Sequence, residues 1–186
     1  MERAIDSTNA KKLTFDIYVS AAGWINQNEL LIMNQCIKSK SVSTAGNYTK
    51  KFENEIAKVT KAKFVTATIN GTAALQLALQ ACGIGGGDEV LVPSLTYIAS
   101  YQAIIATGAK PISCDVNEED LLISLSDAKN KISSRTKAIM PVFFSGGVGK
   151  LEDLYLFAKK NNLRVIEDAA HAFGSRYKNK LIGSFG

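Results

Sequence analysis

Short apolar runs that alternate with helix-length segments constrain the fold of this chain most. LVP at 91–93, AIMPVFF at 138–144 and RVIE at 164–167 are continuous rather than alternating in polarity. A strand with that pattern is covered on both faces. Between such runs lie segments with apolar residues at helical spacing, such as Leu154, Phe157 and Ala158. Strands that alternate with helices imply right-handed crossovers and a mainly parallel sheet. The expected class is therefore α/β, a mainly parallel central sheet with helices on both faces.

The elements can be placed in order. Strands are expected at Phe64–Ile69, Asp88–Val92, Lys110–Cys114, Lys137–Phe143 and Leu163–Glu167. Helices are expected at Asn28–Ile37, Tyr48–Lys58, Thr72–Cys82, Leu95–Thr107, Ser126–Ile132 and Leu151–Asn161. Gly83 and Gly108 stand just past two of these helices, where a left-handed residue ends a helix best. Arg176–Leu181 reads as a small hairpin turning at Asn179-Lys180. Residues 1–27 read as an N-terminal arm, and 28–186 as one large domain.

In an open parallel sheet, ligands bind outside the carboxyl ends of the strands. Three suggestive segments lie there: the turn Asn70-Gly71-Thr72, the run Pro93-Ser94-Leu95-Thr96-Tyr97, and Glu167-Asp168-Ala169-Ala170-His171. The turn opens a helix whose first N–H groups lack intrahelical partners and carry the positive end of the dipole. That suits a phosphate. Gly71 lets the backbone approach the anion, and the Thr72 hydroxyl adds a donor. A purely structural strand–glycine–helix junction is the competing reading.

Asp168 follows apolar strand residues, and a carboxylate there needs a partner. It can cap a helix over Ala169–Phe173. Alternatively, it can pair with the protonated ring nitrogen of pyridoxal phosphate and keep that ring an electron sink. Tyr97 is either a core aromatic or a plate stacked on a cofactor ring. His171, one helical turn beyond Asp168, is either structural or part of the same pocket.

Composition removes several other classes. The net charge is +5, but the lysines are scattered, as at Lys58, Lys61, Lys63, Lys137, Lys159 and Lys160. No dense basic run with interleaved aromatics marks a nucleic-acid surface. Cys36, Cys82 and Cys114 are odd in number and widely spaced, which fits reduced thiols in a cytoplasm. His171 is the only histidine, so a zinc site is not expected. The N-terminal segment has no apolar signal-peptide core, and no run approaches the roughly 18 apolar residues of a membrane span. The first turn is INGTA rather than G-x-G-x-x-G, which argues against a dinucleotide-binding Rossmann domain.

Taken in order and spacing, INGTAALQLAL, GIGGGDEVLVPSLTYIAS, GAKPISCDV, RTKAIMPV, RVIEDAAHAFGS and KNKLIGSFG resemble the DegT/StrS-type sugar aminotransferases. The loop SVSTAGNYTKKFENEIA is similar to the family's opening segment, and the likeness runs from about Asn28 to Gly186. These are fold type I pyridoxal-phosphate enzymes, mostly acting on nucleotide-linked keto sugars. The resemblance implies a cofactor phosphate at Gly71 and Thr72 and a ring stacked on Tyr97. It implies a ring nitrogen paired with Asp168, and His171 lining the same ring. It also implies an amino donor such as glutamate, a homodimer, a cytoplasmic location and a place in polysaccharide biosynthesis.

Two departures accompany the likeness. In the family the Schiff-base lysine comes shortly after the segment matching IGSFG, before a smaller C-terminal domain. The sequence supplies neither, so no catalytic lysine is assigned. The chain therefore reads as the large-domain half, inactive by itself. A sugar dehydratase of the same fold, with histidine in place of that lysine, and a non-catalytic cofactor-binding protein stay open as alternatives. The second departure is Phe143–Gly149, FFSGGVG, where family members usually carry a shorter histidine-aromatic-glycine turn. Lys150, which follows it, begins a helix and reads as solvated.

Overall fold

The computed structural model describes residues 27–183 and 185, apart from 41, 42, 44 and 45. The expected N-terminal arm lies, but for Gln27, outside the described residues. The chain divides into two compact units, the first ending at Thr49 and the second spanning Lys50–Gly186.

In the first unit, helix α1 (Gln27–Lys38) has no buried residue. The Tyr48 hydroxyl donates to the Gln35 side chain. Helix α2 (Asn47–Thr60) opens at the end of this unit and continues into the second.

The second unit is built on a parallel sheet. Its strands are β1 (Glu89–Pro93), β2 (Lys110–Cys114), β3 (Thr136–Ile139) and β4 (Arg164–Val165), in the order β2-β1-β3-β4. Every neighbouring pair is parallel. The crossovers are α4 (Ala99–Ala106) between β1 and β2, α5 (Leu125–Lys131) between β2 and β3, and α6 (Leu151–Lys160) between β3 and β4. Helix α3 (Gly71–Ala81) precedes β1.

All five residues of β1 are buried, as expected of a central strand with both faces covered. Val90, Val92, Ala138, Met140 and Ile166 pack on one side with Leu75 and Leu79 of α3 and Ala103 and Ile104 of α4. Leu91, Ile139 and Phe143 pack on the other with Ala128 of α5 and Leu151, Leu154 and Ala158 of α6. Each large side chain buried this way contributes about 1.5–3 kcal/mol. That packing, more than propensity, holds the short helices α4 and α5 in place.

Gly83 (φ +75°) and Gly108 (φ +86°) end α3 and α4 in the left-handed conformation. A second, two-stranded antiparallel sheet pairs β5 (Arg176–Tyr177) with β6 (Lys180–Leu181). Its turn is centred on Lys178 (φ 46°) and Asn179 (φ 67°), not on Asn179-Lys180. Two positive φ values match the type I′ turn, whose twist suits a hairpin.

Three further expectations need correction. Phe64–Ile69 forms no strand, because no described segment offers it a ladder. Phe64 and Ile69 are 82% and 92% exposed, and the Ala67 N–H bonds Glu53 Oε1 at 2.9 Å instead. The helix expected from Leu95 begins at Ala99, because the Ser94 N–H still bonds the Cys114 carbonyl at 2.7 Å and prolongs the ladder with β2. No helix forms over Ala169–Phe173; the chain turns there. Asp168 therefore caps nothing, and no helical turn relates it to His171.

Candidate cofactor-binding site

The strand order reverses at β1. Crossover α4 carries the chain to β2 on one side, and α5 brings it back to β3 on the other. A crevice opens at such a switch point, outside the carboxyl ends of β1 and β3. Helix α4 starts there because it follows β1. Helix α3 also starts there, because it runs back toward the amino end of β1. All the expected site residues lie in the second unit, at this edge.

Asn70 is the N-cap of α3. Its backbone is extended, and its Oδ1 accepts the Ala73 N–H at 2.9 Å. Its carbonyl accepts the Ala74 N–H at 3.1 Å. The Gly71 and Thr72 N–H groups are left without an acceptor among the described residues, and so is the Thr72 hydroxyl. A Cβ placed on Gly71 meets nothing within 4 Å. Local packing therefore does not require the glycine, and the space around that Cβ is open.

Asp168 sits just past β4, joined to Val142 by a parallel bridge. Its N–H bonds the Pro141 carbonyl at 2.9 Å, and its carbonyl accepts the Phe143 N–H at 3.1 Å. The side chain is buried, at 8% exposure. Oδ2 accepts the Ser100 hydroxyl at 2.7 Å, while among the described residues Oδ1 takes only the Ala170 N–H at 3.3 Å. Ser100, fully buried on α4, lies 2.7 Å from the Thr96 hydroxyl.

Tyr97 is 75% exposed, so its ring is not a core aromatic. Its carbonyl accepts the Ser100 N–H at 3.2 Å, which ties the Tyr97 loop to the start of α4. His171 is exposed. Its Nδ1 accepts the Ser145 N–H at 3.5 Å, and its ring meets Phe144 edge-on at 5.5 Å.

The glycines of the FFSGGVG turn have packing reasons. Gly146 (φ +82°) would bring a Cβ to 3.2 Å from the His171 carbonyl and the Ser175 hydroxyl. Gly149 (φ +52°) would bring one to 2.4 Å from Leu122. Lys150 is exposed at the head of α6, as expected.

Beside Asp168, Glu167 joins two elements. Its Oε1 accepts the Tyr155 hydroxyl from α6 at 2.8 Å, and its Oε2 accepts the Gly183 N–H at 2.9 Å. Burial, reinforced by the Glu167 charge, pushes the Tyr155 phenol well above its ordinary range.

The structure thus links Asp168 to the Tyr97 loop through Ser100 and Thr96, and to His171 through the 169–171 turn. Gly71 and Thr72 share the edge by topology, with no hydrogen bond to the others. Sequence reasoning missed Ser100 and named Thr96 only as part of the run Pro93–Tyr97, without a role. Their spacing of four residues on an expected helix was the available signal.

These residues suit a flat, phosphate-bearing cofactor. Two open N–H groups fit its phosphate, an exposed aromatic fits its ring face, and a buried carboxylate with one lightly engaged oxygen fits a ring N–H. Fold and site together define an α/β protein with a parallel sheet whose switch point suits such a cofactor.

The chain belongs to the DegT/DnrJ/EryC1/StrS aminotransferase family, which matches residues 24–186 and whose enzymes use pyridoxal phosphate. It is 50% identical over 154 residues to GDP-perosamine synthase of Escherichia coli O157:H7, covering 83% of this chain and 42% of the relative. It is 41% identical over 162 residues to GDP-perosamine synthase of Vibrio cholerae, covering 87% and 44%. Among solved structures, an aminotransferase from Psychrobacter cryohalolentis superposes with a TM-score of 0.82 at 35% identity, over 86% of this chain and 41% of its own. The PLP-form of a putative sugar aminotransferase from Streptococcus pneumoniae superposes with a TM-score of 0.80 at 28% identity, over 88% and 45%. The chain spans less than half the length of these relatives.

Proposed function

We propose that this chain forms the cofactor-binding part of a pyridoxal-phosphate-dependent aminotransferase that transfers an amino group to a nucleotide-linked keto sugar. Family membership and the names of the similar proteins, GDP-perosamine synthases among them, support this reading. The observation that carries it is the buried Asp168 carboxylate, with Oδ2 held by Ser100 and Oδ1 nearly free, at the carboxyl edge of the sheet.

When bound, pyridoxal phosphate supplies an electron-sink ring for amino-group transfer. In this proposal the Gly71 and Thr72 N–H groups and the Thr72 hydroxyl bind its phosphate. Tyr97 lies against the ring face, and Asp168 Oδ1 holds the proton on the ring nitrogen. His171, fixed by Ser145 and Phe144, lines the same ring.

The proposal extends to glutamate as the amino donor, a homodimer, a cytoplasmic location and a role in polysaccharide biosynthesis. No described helix is long and apolar enough to cross a membrane.

The test is a titration of the purified chain with pyridoxal phosphate, followed by absorbance, with inorganic phosphate as competitor. The expected result is saturable binding that phosphate weakens. Binding that never saturates, or that phosphate leaves untouched, overturns the reading.

A further inference from the structure

Ser100 is buried without any exposed surface, and its hydroxyl meets Asp168 Oδ2 at 2.7 Å. A hydroxyl has one proton to give, and a carboxylate only accepts. The Ser100 proton therefore points at Asp168. The 2.7 Å contact between Thr96 and Ser100 must then be donated by Thr96, whose one proton is shared with the longer contact to the Tyr97 carbonyl at 3.2 Å. The order of donation is Thr96 to Ser100 to Asp168. All three side chains lie where α4, the β1 loop and the end of β4 converge.

This order makes the two carboxylate oxygens unequal. Oδ2 is engaged by a short bond from a rigid, buried donor. Among the described residues Oδ1 has only the longer bond from Ala170, at 3.3 Å. The bond to Oδ2 also sets the side-chain rotation, because Ser100 is fixed on a packed helix. From this we infer that Ser100, backed by Thr96, is a positioning residue that holds Asp168 by Oδ2 and presents Oδ1 to the cofactor ring nitrogen. The inference rests on the reading of Asp168 given above. It assigns a role to two hydroxyls that neither composition nor motif singles out.

The test compares two probes on the full chain, pyridoxal phosphate and inorganic phosphate. Ser100→Ala keeps the helix and removes the donor. It should weaken pyridoxal phosphate binding about tenfold, the scale of one hydrogen bond to a charged group. Inorganic phosphate, assigned by the same reading to the start of α3 alone, should bind unchanged. In an Asp168→Asn background, Ser100→Ala should add little, because the two act through one interaction. If Ser100→Ala does not fold, Thr96→Val carries the test, with a smaller loss of about twofold from weaker hydroxyl cooperativity.

The inference is overturned if Asp168→Asn weakens pyridoxal phosphate while Ser100→Ala does not. Equal losses for both probes, or fully additive losses in the double variant, overturn it too, since they mark a merely structural role. A wild-type chain that fails to bind pyridoxal phosphate sinks the reading of the site itself, a separate and recognisable outcome.

Discussion

Gly71→Ala should move stability and affinity in opposite directions. Gly71 is the first residue of α3, and it is not among the residues with positive φ. The added Cβ meets no atom within 4 Å, so folding pays no steric penalty. Alanine at a compatible position gains about 0.4–1 kcal/mol, by narrowing the unfolded ensemble. For a chain of this size that is roughly 1–4 °C in Tm. A helical Cα–Cβ bond tilts toward the helix N-terminus, so the added methyl lies on the side of the unpaired N–H groups. If it pushes the phosphate away from one N–H, the lost charge-assisted hydrogen bond is worth about 1.5–3 kcal/mol, or roughly a ten- to hundredfold loss of affinity. Absorbance titration gives the affinity and a thermal melt gives Tm. Pyridoxal without its phosphate serves as control and should bind the variant as it binds the wild type. A raised Tm with unchanged pyridoxal phosphate affinity refutes the phosphate site at α3.

Two further outcomes test the fold that carries the site. Glu89, buried at the amino end of β1, accepts from Ser133 at 2.5 Å and from Arg135 at 2.7 and 3.1 Å. The Ser133 and Arg135 hydrogen bonds hold its carboxyl below the ordinary range. A depressed folded-state value stabilises above the unfolded value of about 4.3 and is lost as pH falls through the folded value. Glu89→Gln should therefore lower Tm at pH 7 and flatten the fall in Tm below about pH 4. Equal acid limbs in the two proteins contradict this. Burial pushes the Cys114 thiol up to about 11, whereas Cys82 is exposed. The reactive Cys114 thiolate is therefore scarce at pH 8. Iodoacetamide followed by peptide mass analysis should label Cys82 in the native chain and leave Cys114 unmodified until the chain is unfolded.

The parts of this molecule that were legible in its sequence are those decided locally. Lys110–Cys114 is a strand with the expected bounds, because its polarity and flanking turns suffice to define it. Gly83 and Gly108 mark helix ends because only a left-handed residue closes them well. Phe64–Ile69 failed for the opposite reason: its residues suit a strand, but a strand also needs a neighbour. The hairpin turn was misplaced by one residue, since Lys178 and Asn179 together adopt positive φ and lysine carries no strong turn signal. The place of Asp168 and Tyr97 at the carboxyl edge of the sheet was legible from the apolar runs before them. The reading of Asp168 as a helix cap fell because Ala169–Phe173 turns instead. Thr96 and Ser100 were not legible, because their importance comes from a contact with a residue far along the chain. Only tertiary packing sets that distance.

Asp168→Asn tests the central claim most directly. The substitution keeps an amide oxygen to accept from Ser100, and there is no helix for the side chain to cap. Its stability cost should be the lost bond from Ala170 together with a buried amide NH2 left facing the Ala170 N–H, about 1–3 kcal/mol or roughly 2–12 °C in Tm. What it removes is the charge facing the ring nitrogen. If Asp168 holds pyridoxal phosphate by that nitrogen, affinity for pyridoxal phosphate should fall about ten- to a hundredfold, with inorganic phosphate binding unchanged. Unchanged pyridoxal phosphate affinity in a folded Asp168→Asn chain would contradict the account.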